Sequence, residues 1–195
     1  MLIKEHYEQA ARLLGVEPAV LRAVERVETG GKGGFLLQGK PRILFEGHVF
    51  WAQLKKKGKD PQRYVAGNED ILYPKWTRAW YRGGLEEWTR LERAMAIDEE
   101  AALMSASWGM FQVMGFNYAA CGERSVRDFV SKMRTSEMEQ LLLTTIFIRG
   151  NARMREALKA KDWAAFARLY NGPSYKSSRY DSKMAQAYEY YRARW

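Results

Sequence analysis

The chain has 195 residues, 47% hydrophobic and 13% aromatic, which is enough to bury a core and excludes a disordered polymer. With 32 lysines and arginines against 23 acidic residues, its net charge of +9 favours an anionic partner without choosing between nucleic acid, anionic lipid and bacterial wall polymer. Cys121 is the only cysteine and the two histidines, His6 and His48, lie far apart, which excludes an internal disulfide and leaves no metal-ligand pattern, so neither metal nor cofactor is expected.

The N-terminal stretch MLIKEHYEQAARLLG reads as a charged helix closed by Gly15, not as a secretory signal peptide. Pro18 opens a second helix, at a position where its missing N–H costs nothing. FLLQGKPRILFE predicts a small β-hairpin with its turn near Gly39-Lys40-Pro41. Residues 55–84, with KKKGKDPQRY, predict a large surface excursion. Further helical patterns cover 85–97, 137–158 and 182–193. Asp98 is placed as an N-cap, as are Ser125 and Ser136, each with an acidic residue three positions on. Asp162 starts WAAFARLY, which Gly172 and Pro173 stop. No apolar run approaches the ~20 residues of a membrane-spanning helix. The reading is one mainly α domain over 1–195 with a minor β element.

Three segments carry candidate chemistry. In VEPAVLRAVERVETGG, Leu21, Val24 and Glu28 share one helical face, while Arg22 and Glu25 point towards solvent. Glu28 then sits on the buried stripe at the last turn, where desolvation and the negative end of the helix dipole both favour the protonated form. A carboxylic acid that keeps its proton near neutral pH suits a general acid; a glutamate satisfied by a lysine or a backbone amide is the alternative. Glu46, after Ile43-Leu44-Phe45, is a second acidic candidate, and two carboxylates are the basis of glycoside hydrolysis. It can equally be a helix N-terminal charge or a partner of Arg42, and His48 reads as a hydrogen-bonded structural residue. SASWGMFQVMGFN, residues 105–117, mixes Trp108, Met110, Phe111, Met114 and Phe116 with Gly109, Gly115 and Gln112. An apolar wall, close-approach glycines and one amide suit the flat faces and polar edges of a sugar. In ARLYNGPSY, Tyr170 reads as core and Asn171-Gly172-Pro173 as helix-stop chemistry. GGKGG lacks phosphate-loop spacing, no serine has a nucleophile-elbow context, and the scattered basic residues do not suggest nucleic-acid binding.

Together, VETGG, SASWGMFQVMGFN and LYNGPSY resemble the pattern of lysozyme-superfamily enzymes that cut peptidoglycan, including lytic transglycosylases and goose-type lysozymes. ILFEGHVF, SASWGMFQVMGFNYAACG and WAAFARLYNGPSY make the narrower resemblance to the N-acetylmuramidase domain of phage endolysins, from about residue 10 to the C-terminus. It implies a lysozyme-like fold with a cleft between two lobes; members of that family often carry a separate wall-binding module at the N-terminus, and none is expected here. It implies hydrolysis of the β-1,4 bond between N-acetylmuramic acid and N-acetylglucosamine; a lytic transglycosylase and a non-catalytic wall-binding module are the alternatives. Glu28 takes the catalytic acid position and Glu46 that of base or electrostatic partner. Thr29 (serine in many relatives), Trp108, Gly109, Gln112 and Met114 bind substrate, and Tyr170 and Asn171 flank the acid. The implied setting is a monomer made in the host cytoplasm and released with a holin. Its implied partners are peptidoglycan and, as a further anionic surface, lipopolysaccharide.

Overall fold

Several helices begin or end at the caps and breakers the sequence supplies. The computed structural model describes residues 2–172, 176 and 179–195. Its helices are α1 (Lys4–Leu14), α2 (Pro18–Thr29), α3 (Gly47–Lys56), α4 (Leu85–Met104), α5 (Val126–Met133), α6 (Glu137–Gly150), α7 (Ala152–Ala160), α8 (Trp163–Asn171) and α9 (Tyr180–Arg192). Its strands are β1 (Phe35–Leu37), β2 (Lys40–Pro41), β3 (Ile43–Phe45), β4 (Ala106–Trp108) and β5 (Val113–Met114). The protein is thus mainly helical with small antiparallel sheets.

Gly15 ends α1 in the left-handed region, and Pro18 is the first residue of α2. Ser125, Ser136 and Asp162 each accept a backbone N–H three residues on, a contact worth about 1 kcal/mol per helix. Asp98 interrupts α4 with an extended backbone and caps the remainder of that helix by accepting the Ala101 N–H at 2.9 Å. Lys57 and Lys59 hold its carboxylate at 2.7 Å each, and these hydrogen bonds outweigh its burial to bring its pKa down to about 2. The single helix expected over 137–158 is two. Asn151 leaves helical geometry and caps α7 through the Met154 N–H, because its amide competes with the backbone ladder. Gly172 ends α8 as expected; Pro173 and Tyr175 lie outside the described residues.

The chain forms two compact units. The first joins residues 1–34 to 136–195. Here α2 packs on α1 and α9, and Leu14, Val24, Leu158, Phe166 and Met184 fill the interior. The second, residues 35–135, contains both sheets. The predicted hairpin is split: β1 pairs with β2, while β3 pairs with β4, Ile43 facing Trp108 and Phe45 facing Ala106. β4 turns back into β5, so 105–117 is largely sheet and core. Gly115 is required there because a Cβ would overlap the Leu103 carbonyl oxygen.

Residues 55–84 are not simply a surface excursion. Ile71, Leu72 and Tyr73 are buried, and Arg90 donates to the Asp70 carbonyl oxygen at 2.7 Å. Arg90 and Glu87 form a buried pair at 2.8 Å that also holds the Phe45 peptide: Glu87 accepts its N–H and Arg90 donates to its carbonyl. This clamp fixes the end of β3, one residue before Glu46.

Candidate active site

The C-terminal turn of α2 presents Glu28. Gly30 and Gly31, both at positive φ, end the helix immediately after it. The side chain is half-buried, with its carboxyl desolvated, and Asn171 Nδ2 at the end of α8 donates to Oε1 at 3.2 Å. Desolvation raises the pKa to about 7, and the Asn171 hydrogen bond only partly opposes it. Glu28 can therefore hold a proton at neutral pH and release it to a basic oxygen. Burial and the charge of Glu28 both raise the pKa of Tyr180, which places this phenol in the carboxyl's field.

Glu25, expected in solvent, is buried. Its Oε2 accepts from the Tyr7 hydroxyl at 3.4 Å and its Oε1 from the Thr29 hydroxyl at 3.1 Å. Arg22 lies 3.8 Å from Glu25 and donates to the Tyr7 oxygen at 2.5 Å. Burial, then the Glu25 charge, drive the Tyr7 pKa upward. Thr29 is spent in the same network: its hydroxyl also donates to the Glu25 carbonyl and accepts the Gly31 N–H at 2.8 Å. Thr29 is buried and locks the helix end that carries Glu28. The partners of Glu25 lie 18 residues away at Tyr7 and on its own helix, beyond what a helical-face count reveals.

In the second unit, Glu46 follows β3 and precedes α3, as expected, and its N–H donates to the Ser105 carbonyl oxygen. Its Oε2 accepts from the Tyr81 hydroxyl and lies 3.3 Å from His48 Nδ1. It does not pair with Arg42. The buried Nδ1 of His48 is out of hydrogen-bonding alignment with that oxygen, so His48 is not the hydrogen-bonded residue expected; its ring stacks on Tyr73. Burial, then the Glu46 hydrogen bond and charge, push the Tyr81 pKa well up, keeping its proton available to Glu46. Tyr81 escapes a sequence reading because 35 residues separate it from Glu46.

The apolar part of SASWGMFQVMGFN is core. Trp108 is 0% exposed, packs edge-on against Trp88 and donates its indole N–H to the Leu103 carbonyl oxygen, so it is not a sugar-facing wall. The Gln112 amide is committed to the protein: Oε1 accepts from Ser107 at 2.8 Å, while Nε2 donates to Gly109 and Arg42 carbonyl oxygens. Gly109, at positive φ, is buried and donates its N–H to Arg42 O at 2.8 Å. These two residues shape a turn; they do not offer free polar groups. Met114 is half-buried and Phe116 exposed, so the open surface of the segment lies at its end. Tyr170, half-buried, stacks on Phe166 and meets Phe147 edge-on, while Asn171 reaches Glu28. Among the described residues, no three histidine, cysteine, aspartate or glutamate side chains converge as a metal site.

A lysozyme-like helical fold and a peptidoglycan glycosidase are the class this chain defines. More narrowly, a model of the N-acetylmuramidase family matches residues 17–192, and the chain belongs to that family. The crystal structure of the Burkholderia AP3 phage endolysin is similar at 38% identity and a TM-score of 0.89, over 98% of this chain and 72% of that one. No curated protein sequence matches.

Proposed function

We propose that the protein is a phage-type endolysin that hydrolyses the β-1,4 bond from N-acetylmuramic acid to N-acetylglucosamine. The observation that carries this reading is Glu28, a desolvated carboxyl at a helix end with a pKa of about 7 and one neutral hydrogen-bond donor. Glu28 gives its proton to the glycosidic oxygen as the bond to the muramic acid C1 breaks, and the bonding pair leaves with that oxygen. The C1 centre becomes oxocarbenium-like, and water adds there as its proton passes to Glu46 acting as base, or to the Glu28 carboxylate where Glu46 acts only electrostatically. Glu46, held by Tyr81, is the proposed base or electrostatic partner. Asn171 steadies the carboxylate left behind by proton transfer, and Tyr170 and Met114 contribute apolar contact to the sugars.

On this reading, peptidoglycan is the substrate and the enzyme works without a cofactor, as a monomer. It is synthesised in the host cytoplasm and released to the wall with a holin, and its +9 charge draws it to anionic wall polymer and lipopolysaccharide. No described helix is long and apolar enough to cross a membrane.

Mass spectrometry of muropeptides released from purified peptidoglycan tests the reaction. Reducing N-acetylmuramic acid ends are expected. Anhydro ends would identify an internal 6-hydroxyl attack and remove the base role from Glu46; absence of cleavage would leave only a binding module.

A further inference from the structure

The first unit carries a second concentration of chemistry, where α2 and α9 meet. Two adjoining surface grooves, of about 660 and 420 Å³, run along α2 and α9 and share Tyr190 and Tyr191. Five cations line them, and neither lining contains an aspartate or glutamate. Arg26 and Lys183, in the larger groove, have no carboxylate partner among the described residues. Arg26 folds over the helix end, where a Cβ on Gly31 would collide with its guanidinium.

The aromatic faces are held in place by the other cations. The Arg194 guanidinium lies 3.9 Å from the Tyr190 ring centre, and that of Arg22 lies 5.3 Å from Tyr191. Glu28 lines neither groove, so a ligand held there does not occupy the position of the acid.

We propose that this surface is a non-catalytic site for the acidic stem peptides of peptidoglycan, an inference that rests on the muramidase reading for its choice of polymer. Stem peptides offer closely spaced carboxylates for Arg26 and Lys183, alanine methyls for the tyrosine faces, and amides for Gln186, which also lines the larger groove. Holding peptides outside the reacting centre keeps the enzyme on the wall between cleavages and adds apparent affinity without touching the bond being cut.

The test uses the full chain with Glu28→Gln, so that bound wall is not digested. Sedimentation with purified peptidoglycan sacculi is compared with and without Arg26→Glu and Lys183→Glu. The double reversal is expected to weaken binding to intact sacculi about tenfold. It should leave binding to amidase-treated, peptide-free glycan unchanged and already weak. With Glu28 restored, turnover of a soluble peptide-free glycan oligomer should stay within about twofold, and Arg26→Lys with Lys183→Arg should retain wall binding. Undiminished sedimentation, equal loss on peptide-free glycan, or lost turnover would each overturn the proposal. Lys183 is exposed on α9, so Lys183→Glu alone gives the same readout at about threefold should the double variant not fold. Failure of the muramidase reading is seen separately, as absence of new reducing ends from the unaltered protein.

Discussion

Two carboxylates withdrawn from water, one in each unit, show how the same side chain becomes scaffold or reagent. Glu87, in the second unit, is fully enclosed and receives four donors: the N–H groups of Phe45, Arg82 and Gly83, and the Arg90 guanidinium. Glu28, in the first, has Asn171 alone as a hydrogen-bond donor among the described residues. A carboxylate given a cation and three amides is fixed in place as part of the scaffold. One given a single neutral amide in a desolvated position keeps its proton to about pH 7. Local satisfaction, more than burial, separates the two.

The comparison breaks most sharply at Glu28 itself. Glu28→Gln should lower peptidoglycan turnover by roughly 10²- to 10⁴-fold, the range for loss of a general acid, while leaving the fold intact. Initial rates on sacculi check this, and near-normal clearing would remove Glu28 from the reaction. Arg90→Ala should instead act on stability, by about 3–5 kcal/mol, because it strands Glu87 as an unpaired buried charge. Denaturant unfolding reads that loss, and a variant as stable as its parent would show that the backbone donors suffice.

Smaller effects sharpen the contrast. The folded state binds the Glu28 proton more tightly than the unfolded chain, so this group's contribution to stability falls as pH rises from about 4.5 through about 7. Glu28→Gln should therefore be more stable than the unaltered protein by roughly 3 kcal/mol at about pH 8, with the advantage gone near about pH 4. Thermal melts across pH measure it, and equal pH profiles would contradict a raised pKa. Asn171→Ala removes a hydrogen bond that favours the carboxylate. Its alkaline activity limb should move to higher pH, with turnover reduced by no more than about tenfold. An alkaline limb that stays in place or moves down would show that Asn171 does not act on Glu28.

The legibility of these features depends on their range. Caps, glycine stops and the proline start are set within four residues, and Gly15, Pro18, Ser125, Ser136 and Asp162 are where the sequence puts them. Glu28 is legible because a helical face, a terminating Gly-Gly and a charged residue on an apolar stripe occur within one short segment. Glu25 misleads the same count: its burial depends on Tyr7 from another helix. Trp108 and Gln112 mislead differently. An apolar stretch with an amide describes both a sugar-binding wall and a sheet packed on its own turn, and only the pairing of β3, β4 and β5 decides for the second. Tyr81 and the Glu87–Arg90 clamp depend on contacts across 35 to 45 residues, which no local pattern encodes.

The most direct test of Glu28 as a poised acid is a ¹³C NMR titration of its side-chain carboxyl, assigned by the loss of its signal in Glu28→Gln. A midpoint at about pH 7, well separated from the exposed glutamates, is what a desolvated carboxyl with one amide partner requires. A midpoint near the ordinary value of 4.5 would mean that Glu28 is ionised at working pH, and its role as proton donor would fall.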